Sequence, residues 1–336
     1  MISTRIWMRV RLVCALLVFL GMPITHAFAQ IYHVQDMNHQ QIRALGRDKT
    51  VVLLPGGILE QHGTYLPSFT DGYMNERLTQ EIANAIVERP EWKVLIFPPI
   101  PLGTGGANEI GRKYVFDGTF ALRFSTLRAV FMDLATELGN AGFRWIFVVH
   151  LHGAPNHNRA LDQAGDYFRD TYGGRMVHLF GLMPVFGAWG EAEKTLGEKE
   201  RQENGFAVHA DLQETSVLLF LRPDLVPPTY KNAPAHTGHN MEELVQIAKR
   251  DEWPGYFGSP RLASAAYGAK VWKAVSSKFI EFTLKTLDGF AMEQVPRYGD
   301  VLKTSPANVA IDNAALARDL EVENKQLEWL RKKNLQ

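Results

Sequence analysis

Cysteine is almost absent from this sequence of 336 residues. The one cysteine, Cys14, lies in an apolar segment near the amino terminus. If that segment is removed, the remaining chain has no disulfides, thiolate metal ligands or cysteine nucleophiles. Any metal ion must then be held by histidine, aspartate and glutamate.

The sequence also lacks an excess of charge of either sign. Its 36 basic and 36 acidic residues give a formal net charge of zero. No global field would attract nucleic acid or an anionic membrane, so we expect a small molecule as the partner. The hydrophobic content of 46% is enough for a sizeable globular core.

No apolar run reaches the roughly 20 residues that a membrane-spanning helix needs. Residues 1–29 combine early arginines with a shorter apolar segment and the small residues Ala27 and Ala29. This pattern is typical of a secretory signal peptide cleaved after Ala29, and retention as an anchor is the alternative. We expect a mature chain of residues 30–336, periplasmic or secreted and without stable membrane association.

Nucleotide-binding motifs are missing as well. The glycine-rich stretch GTGGANEIG at residues 103–111 fits neither G-x-G-x-x-G nor the P-loop pattern. We therefore do not expect a dinucleotide-dependent dehydrogenase.

Strand patterns and helix patterns alternate along the chain. The apolar runs VVLLP, KVLIFPPI, RWIFVVHLHG and GRMVHLFGLMPVF are separated by amphipathic stretches, the first predicted to be helical over 72–88. The alternation predicts one α/β domain over 30–336, with a mostly parallel central sheet flanked by helices in three layers. Residues 227–260 lack clear periodicity, and helices are predicted at 271–290 and, as a C-terminal extension, at 314–333.

Carboxylates and imidazoles follow two of these strands. The stretch ILEQHGTYLPSFTD places Glu60, His62 and Asp71 after VVLLP, while His150 and His152 end RWIFVVHLHG. Side chains two residues apart on an extended strand point the same way, and ligands bind beyond the carboxyl ends of parallel strands. We expect both groups to face one site.

Each residue also has a plainer structural interpretation. Asp71 stands where a helix begins and is suited to cap it, because aspartate is favoured at N-caps. In HADLQETS, Asp211 and Glu214 match a capping box that includes no metal. We favour a shared site for the residues after the first strand and leave the HADLQETS pair open between capping and ligation.

Two further histidines have structural interpretations. His178 lies within the apolar run MVHLF, so we expect a buried, hydrogen-bonded side chain. His157 is expected on the surface.

The motifs together resemble the creatininase (creatinine amidohydrolase) family. VLLPGGILEQHGTYLPSFTD resembles its strand followed by E-Q-H-G and an aspartate, and three later stretches resemble family motifs in the same order: NAGFRWIFVVHLHGA, HADLQETS and GSPRLASAAYG. The sequence departs from the family pattern where HLHGAPNHN replaces NGHGGN and HAD replaces HAG. Because both departures border the expected site, the substrate preference can differ from that of creatininase.

The resemblance implies a dinuclear metal centre that hydrolyses a C–N bond of an amide or cyclic amide. It implies that Glu60 and His152 bind one ion, that His62 binds the other and that Asp71 bridges them. Ala154 stands where creatininase itself has a ligand glutamate, so we assign the remaining ligand to Glu214.

Further roles follow from the same resemblance. His209 matches a histidine implicated in proton transfer, and contacts to the substrate or to the ligands are expected from His150, Asn156 and Asp211. Carboxylate and imidazole ligands suit Zn²⁺, Mn²⁺ or Fe²⁺ without discriminating among them. The resemblance implies a hexamer or other homo-oligomer that acts on a small-molecule amide. The alternatives are a related peptidase or deformylase, and a metal-containing periplasmic binding protein without turnover.

Overall fold

A five-stranded sheet forms the centre of the computed structural model, which describes residues 30–335. The strand order is β1-β3-β2-β4-β5, and all four pairings are parallel. The strands are β1 (Ile31–His33), β2 (Thr50–Pro55), β3 (Lys93–Ile96), β4 (Trp145–Val149) and β5 (Arg175–His178). The predicted signal peptide, residues 1–29, lies outside the described residues.

Helices surround this sheet. In chain order they are α1 (His39–Arg43), α2 (Thr70–Val87), α3 (Phe124–Asn140), α4 (Pro155–Tyr172), α5 (Met183–Phe186), α6 (Ala188–Glu193), α7 (Glu198–Asn204), α8 (Leu212–Leu221), α9 (Met241–Lys249), α10 (Ala265–Leu287), α11 (Tyr298–Leu302) and α12 (Pro306–Lys332). Within residues 30–335, no helix combines the length and apolar character needed to cross a membrane.

The alternation of side chains along the strands produces two hydrophobic cores. Val51 and Leu53 of β2 belong to a core that also contains apolar residues of α2 and α10. Val52 and Leu54 point to the opposite face, where the core includes residues of α3 and α4. The predicted arrangement of a sheet between two helical layers is thus confirmed, and the sheet is parallel throughout.

Some boundaries and elements differ from the sequence predictions. The helix predicted over 72–88 spans Thr70–Val87, and the two C-terminal helices begin earlier than predicted, at Ala265 and Pro306. The short strand β1 was not predicted. The segment 227–260 contains α9, which Asn240 caps by accepting a hydrogen bond from the Glu243 N–H at 2.9 Å.

The order of the strands determines where a site can form. The chain passes from β2 to β3 on one side and then returns to place β4 on the other side of β2. This reversal leaves a crevice beyond the carboxyl ends of β2 and β4, the usual ligand position in open α/β sheets.

Candidate metal centre

The segment that leaves β2 brings Glu60 into this crevice. Its side chain is buried, and its Oε2 accepts a hydrogen bond from the Ala107 N–H at 2.9 Å. The Glu60 N–H donates to the Ser68 carbonyl at 3.0 Å, which closes the loop on the way to α2. These contacts leave Oε1 facing His152 and His209.

Asp71 lies in the first turn of α2 and does not cap it. The N-cap position belongs to Phe69, which makes no side-chain capping bond, so the capping interpretation of Asp71 is wrong. Instead its Oδ1 lies 3.2 Å from Nε2 of His62, and its Oδ2 lies 3.2 Å from Nδ1 of His152. One carboxylate therefore faces the imidazoles that follow two different strands.

Asp211 and Glu214 lie at the start of α8, and the sequence left open whether this pair caps the helix or binds a metal. Asp211 is the N-cap, accepting from the N–H groups of Gln213 and Glu214 at 2.9 and 3.1 Å. Glu214 accepts from the Ala210 N–H, and the same Oε2 lies 3.8 Å from Nε2 of His62. Asp211 therefore stabilises the helix, while Glu214 also faces the cluster.

Each of three imidazoles around these carboxylates has one ring nitrogen beside a backbone carbonyl. His62 Nδ1 lies 3.1 Å from the Glu60 carbonyl, and His209 Nε2 lies 2.6 Å from the Gln61 carbonyl. His152 Nε2 lies 3.2 Å from the carbonyls of Thr104 and Gly105. A carbonyl only accepts, so each ring donates one N–H to the backbone. The other ring nitrogen, turned toward the carboxylates, is then suited to bind a metal.

The donor atoms form groups of the size that holds an ion. Glu60, Asp71 and His152 each offer a donor atom within 4.8 Å of the others, as do His62, Asp71 and Glu214. The two groups share only Asp71, in agreement with a bridged pair of ions. A third group joins Glu60 and His62 to His209, so the geometry also brings His209 within reach of an ion.

Burial and charge in the cluster fit a bound cation. His62 Nε2 and Asp71 Oδ2 are buried without a hydrogen bond of normal geometry, which is uncommon for polar atoms. Burial opposes the charged forms, yet the nearby imidazoles hold the pKa of Glu60 and of Asp71 below their ordinary values. Against the same effect of burial, Asp71 and the glutamates raise the pKa of His62 to about 9. The carboxylates thus require positive charge, which protons supply when no metal is bound.

Besides Asp211, two predicted site residues lie outside the cluster. His150 is fully buried and its Nδ1 lies 3.3 Å from Nε2 of His157. Asn156, also buried, donates from Nδ2 to the Asp312 carbonyl of α12 at 3.4 Å. Their predicted contacts to ligands or substrate stay predictions.

The two structural histidines have different outcomes. His178 is buried, with Nε2 2.9 Å from Oδ1 of Asn158, as predicted. The surface position expected for His157 is wrong, because its side chain is fully buried.

Sequence reasoning missed the backbone groups that fix the ligands. The Ala107 N–H and the carbonyls of Thr104 and Gly105 all come from the glycine-rich loop after β3. Gly105 has a φ of 81°, a conformation in which glycine is favoured. The glycine run was the one available signal, and it indicated an unusual backbone without indicating its role.

This fold and cluster define a three-layer α/β protein with a candidate dinuclear metal centre. The family model described as creatinine amidohydrolase matches residues 35–283. The chain therefore belongs to the creatininase family of amidohydrolases.

Two relatives of similar identity to this chain carry different names. A mycofactocin precursor peptide peptidase of Mycobacterium ulcerans (strain Agy99) is 25% identical over 231 residues, covering 66% of this chain and 79% of the relative. A creatinine amidohydrolase of Pseudomonas putida is 25% identical over 225 residues, covering 65% and 82%.

Solved structures share the fold. A creatininase designated Mn superposes with a TM-score of 0.54 at 20% identity, covering 76% of this chain and 98% of that chain. A creatininase variant designated Zn-Zn type gives a TM-score of 0.53 at 19% identity, with the same coverage.

Proposed function

We propose that this protein is a dinuclear metal-dependent hydrolase that cleaves a C–N bond of an amide or cyclic amide. The observation that carries the proposal is the position of Asp71, whose two oxygens face different imidazoles, one beside Glu60 and the other beside Glu214. A carboxylate so placed is suited to bridge two cations.

The side chains divide into two ligand sets. Glu60 and His152 would hold one ion, His62 and Glu214 would hold the other, and Asp71 would contact both. Divalent ions in these positions would supply a hydroxide nucleophile at neutral pH and polarise the substrate carbonyl. The residues do not select among Zn²⁺, Mn²⁺ and Fe²⁺.

His209 is the residue to which we assign proton transfer. Burial lowers its pKa to about 4, so the ring is neutral at pH 7. Its Nε2–H is engaged by the Gln61 carbonyl at 2.6 Å, and its Nδ1 lies 3.7 Å from Oε1 of Glu60. The free Nδ1 can accept a proton beside the ligands and pass it to the departing nitrogen.

A second candidate is cleavage of a peptide or formamide bond. The support for it is that a peptide peptidase and a creatinine amidohydrolase are relatives of equal identity to this chain. A binding protein without turnover is the remaining alternative. The complete set of carboxylates and imidazoles argues against it, because pure binding does not need an open site that activates water.

Substrate assays of the metal-loaded chain 30–336 separate these functions. We expect protein loaded with Zn²⁺ or Mn²⁺ to release an amine from linear amides or to open the ring of cyclic amides, and Glu60→Gln to do neither. Release from short peptides alone would favour the second candidate. Ligand-induced thermal stabilisation with no product over hours would favour the binding protein.

Export and assembly are also proposals. The arginines, apolar segment and small residues of 1–29 support export. The family resemblance supports a homo-oligomer, which light scattering of the purified chain would test.

A further inference from the structure

Three buried imidazoles behind His152 have no part in the proposed chemistry. They are His150 and His157, both fully buried, and His178, which is 2% exposed. The ring of His157 stands edge-on to that of His152, with 4.9 Å between the ring centroids and 83° between the planes.

Hydrogen bonds connect two of these rings to the candidate ligand. His152 Nε2–H donates to the Thr104 carbonyl at 3.2 Å, and the Thr104 N–H lies 3.4 Å from Nδ1 of His157. His157 Nδ1 must accept, so the single proton of this neutral ring is on Nε2. That nitrogen lies 3.3 Å from Nδ1 of His150, which accepts in turn.

The surrounding backbone leaves little room for the rings of His157 and His150 to move. A Cβ added to Gly103 would lie 3.1 Å from Nδ1 of His157, and one added to Gly56 would lie 2.2 Å from Nε2 of His150. The two imidazoles are therefore wedged between the end of β2 and the loop after β3. Both are residues of the β4–α4 segment, in which HLHGAPNHN departs from the family pattern.

We propose that His157 is a positioning residue for His152, and that it sets the metal affinity of the position formed by Glu60, His152 and Asp71. By accepting the Thr104 N–H, His157 fixes the loop whose carbonyls hold the His152 ring and its tautomer. Partners of this kind, one step removed from the ion, typically change metal affinity by about 10- to 100-fold. The inference rests on the proposed metal centre.

Hydrogen bonds that do not involve His157 hold the backbone of His152. The role of His157 is therefore limited to the orientation of the His152 ring. Asn158 donates from Nδ2 to the carbonyls of His152 and Ala154 at 2.9 and 2.8 Å, and His178 donates to Oδ1 of Asn158 at 2.9 Å. Loss of the His157 acceptor therefore leaves the end of β4 in place and releases the loop that holds the imidazole.

Two substitutions at His157 separate hydrogen bonding from packing. His157→Phe fills the space but cannot accept from Thr104, whereas His157→Asn leaves a cavity but offers an oxygen near the position of Nδ1. The rings of Phe131 and His150 pack nearly perpendicular to each other, with 5.3 Å between their centroids. Phe131→Leu therefore provides a control that disturbs packing without removing a hydrogen bond.

The measurements are calorimetric titration with Zn²⁺ or Mn²⁺ and thermal unfolding of the metal-free chain 30–336. We expect affinity at one of two positions to fall about 10-fold or more in His157→Phe, and to stay near the parent value in His157→Asn and Phe131→Leu although both lose stability. Parent-like affinity in His157→Phe, or affinity that follows the melting temperature across all three variants, would overturn the inference.

Amide hydrogen exchange at Thr104 in the metal-free protein tests the positioning role of His157 without depending on metal binding. A failure of this inference can therefore be distinguished from a failure of the proposed function. Protection should be lost in His157→Phe and kept in His157→Asn. If the parent binds neither ion, the proposed function and the effect on affinity are both wrong, and the exchange rates then decide whether His157 positions the loop. Unchanged protection in His157→Phe would overturn that role as well.

Discussion

The two candidate ion positions share Asp71 but differ in their surroundings. On one side, the side chains of Glu60 and His152 are 2% and 5% exposed, and the glycine-rich loop holds both through its backbone. On the other side, the side chain of Glu214 is 19% exposed. The comparison indicates that the backbone holds the first position more closely, and we expect a substrate to approach from the second, more exposed side.

Asp71→Asn should empty both ion positions, because Asp71 is the carboxylate that they share. The amide lacks the charge that both positions need, so we expect metal content to fall from about two equivalents to near zero and activity to be abolished. Plasma mass spectrometry of the purified chain measures the first effect. Asp162 of α4 belongs to none of the donor groups, so Asp162→Asn is the control and should keep both ions. Parent-like metal content in Asp71→Asn would refute the shared carboxylate.

Glu214→Gln should affect only the open side. Glutamine can still accept the Ala210 N–H but is a weaker ligand, so we expect one equivalent of metal to be lost and one kept. Asp211→Ala is the matched control, since it removes the α8 cap at a cost of about 1 kcal/mol and should leave two equivalents. Two ions in Glu214→Gln would return Glu214 to a purely structural role.

His209→Gln should leave both positions occupied while reducing turnover. We expect kcat to fall by about 10²- to 10⁴-fold, the range typical of a lost proton-transfer group. Metal analysis together with steady-state kinetics separates a loss of proton transfer from a loss of a bound ion. Loss of an ion from this variant would show that His209 is a ligand, as the third donor group allows.

The pH dependence of stability should differ between metal-free and metal-loaded protein. His62 has its pKa raised from 6.5 to about 9 in the metal-free chain, so its stabilising contribution is complete below pH 6.5 and is lost as pH rises to 9. The loss is about 3 kcal/mol, since one pKa unit corresponds to about 1.4 kcal/mol.

Glu214 changes stability in the same direction, because burial raises its pKa to about 8 and ionisation becomes costly as pH rises. Bound ions replace the protons and should flatten the dependence. Chemical unfolding between pH 6.5 and 9, with chelator or with metal, would test this; parallel curves would contradict the account.

The sequence predicted the part of the site that side-chain spacing determines. Glu60, His62 and His152 follow apolar runs at strand ends, so the parallel sheet alone brings them to one edge. It did not predict which groups hold those side chains, because the Thr104 and Gly105 carbonyls and the Ala107 N–H are backbone atoms that every residue carries.

Other errors have equally local causes. Strand β1 is only three residues long and gains its structure by pairing with β3. His157 occupies the first turn of α4, where helical periodicity over so few residues did not reveal that its face is buried.

The arrangement of the candidate ligands has a consequence for how the protein would acquire metal ions. Its donor atoms come from segments at 60–71, 152 and 214, which meet only when the sheet and α8 have formed. An unfolded polypeptide thus presents no preformed centre, and binding of ions to these residues would be coupled to folding. If the proposed centre is correct, the identity of its metal should record the ion supply of the compartment in which the chain folds.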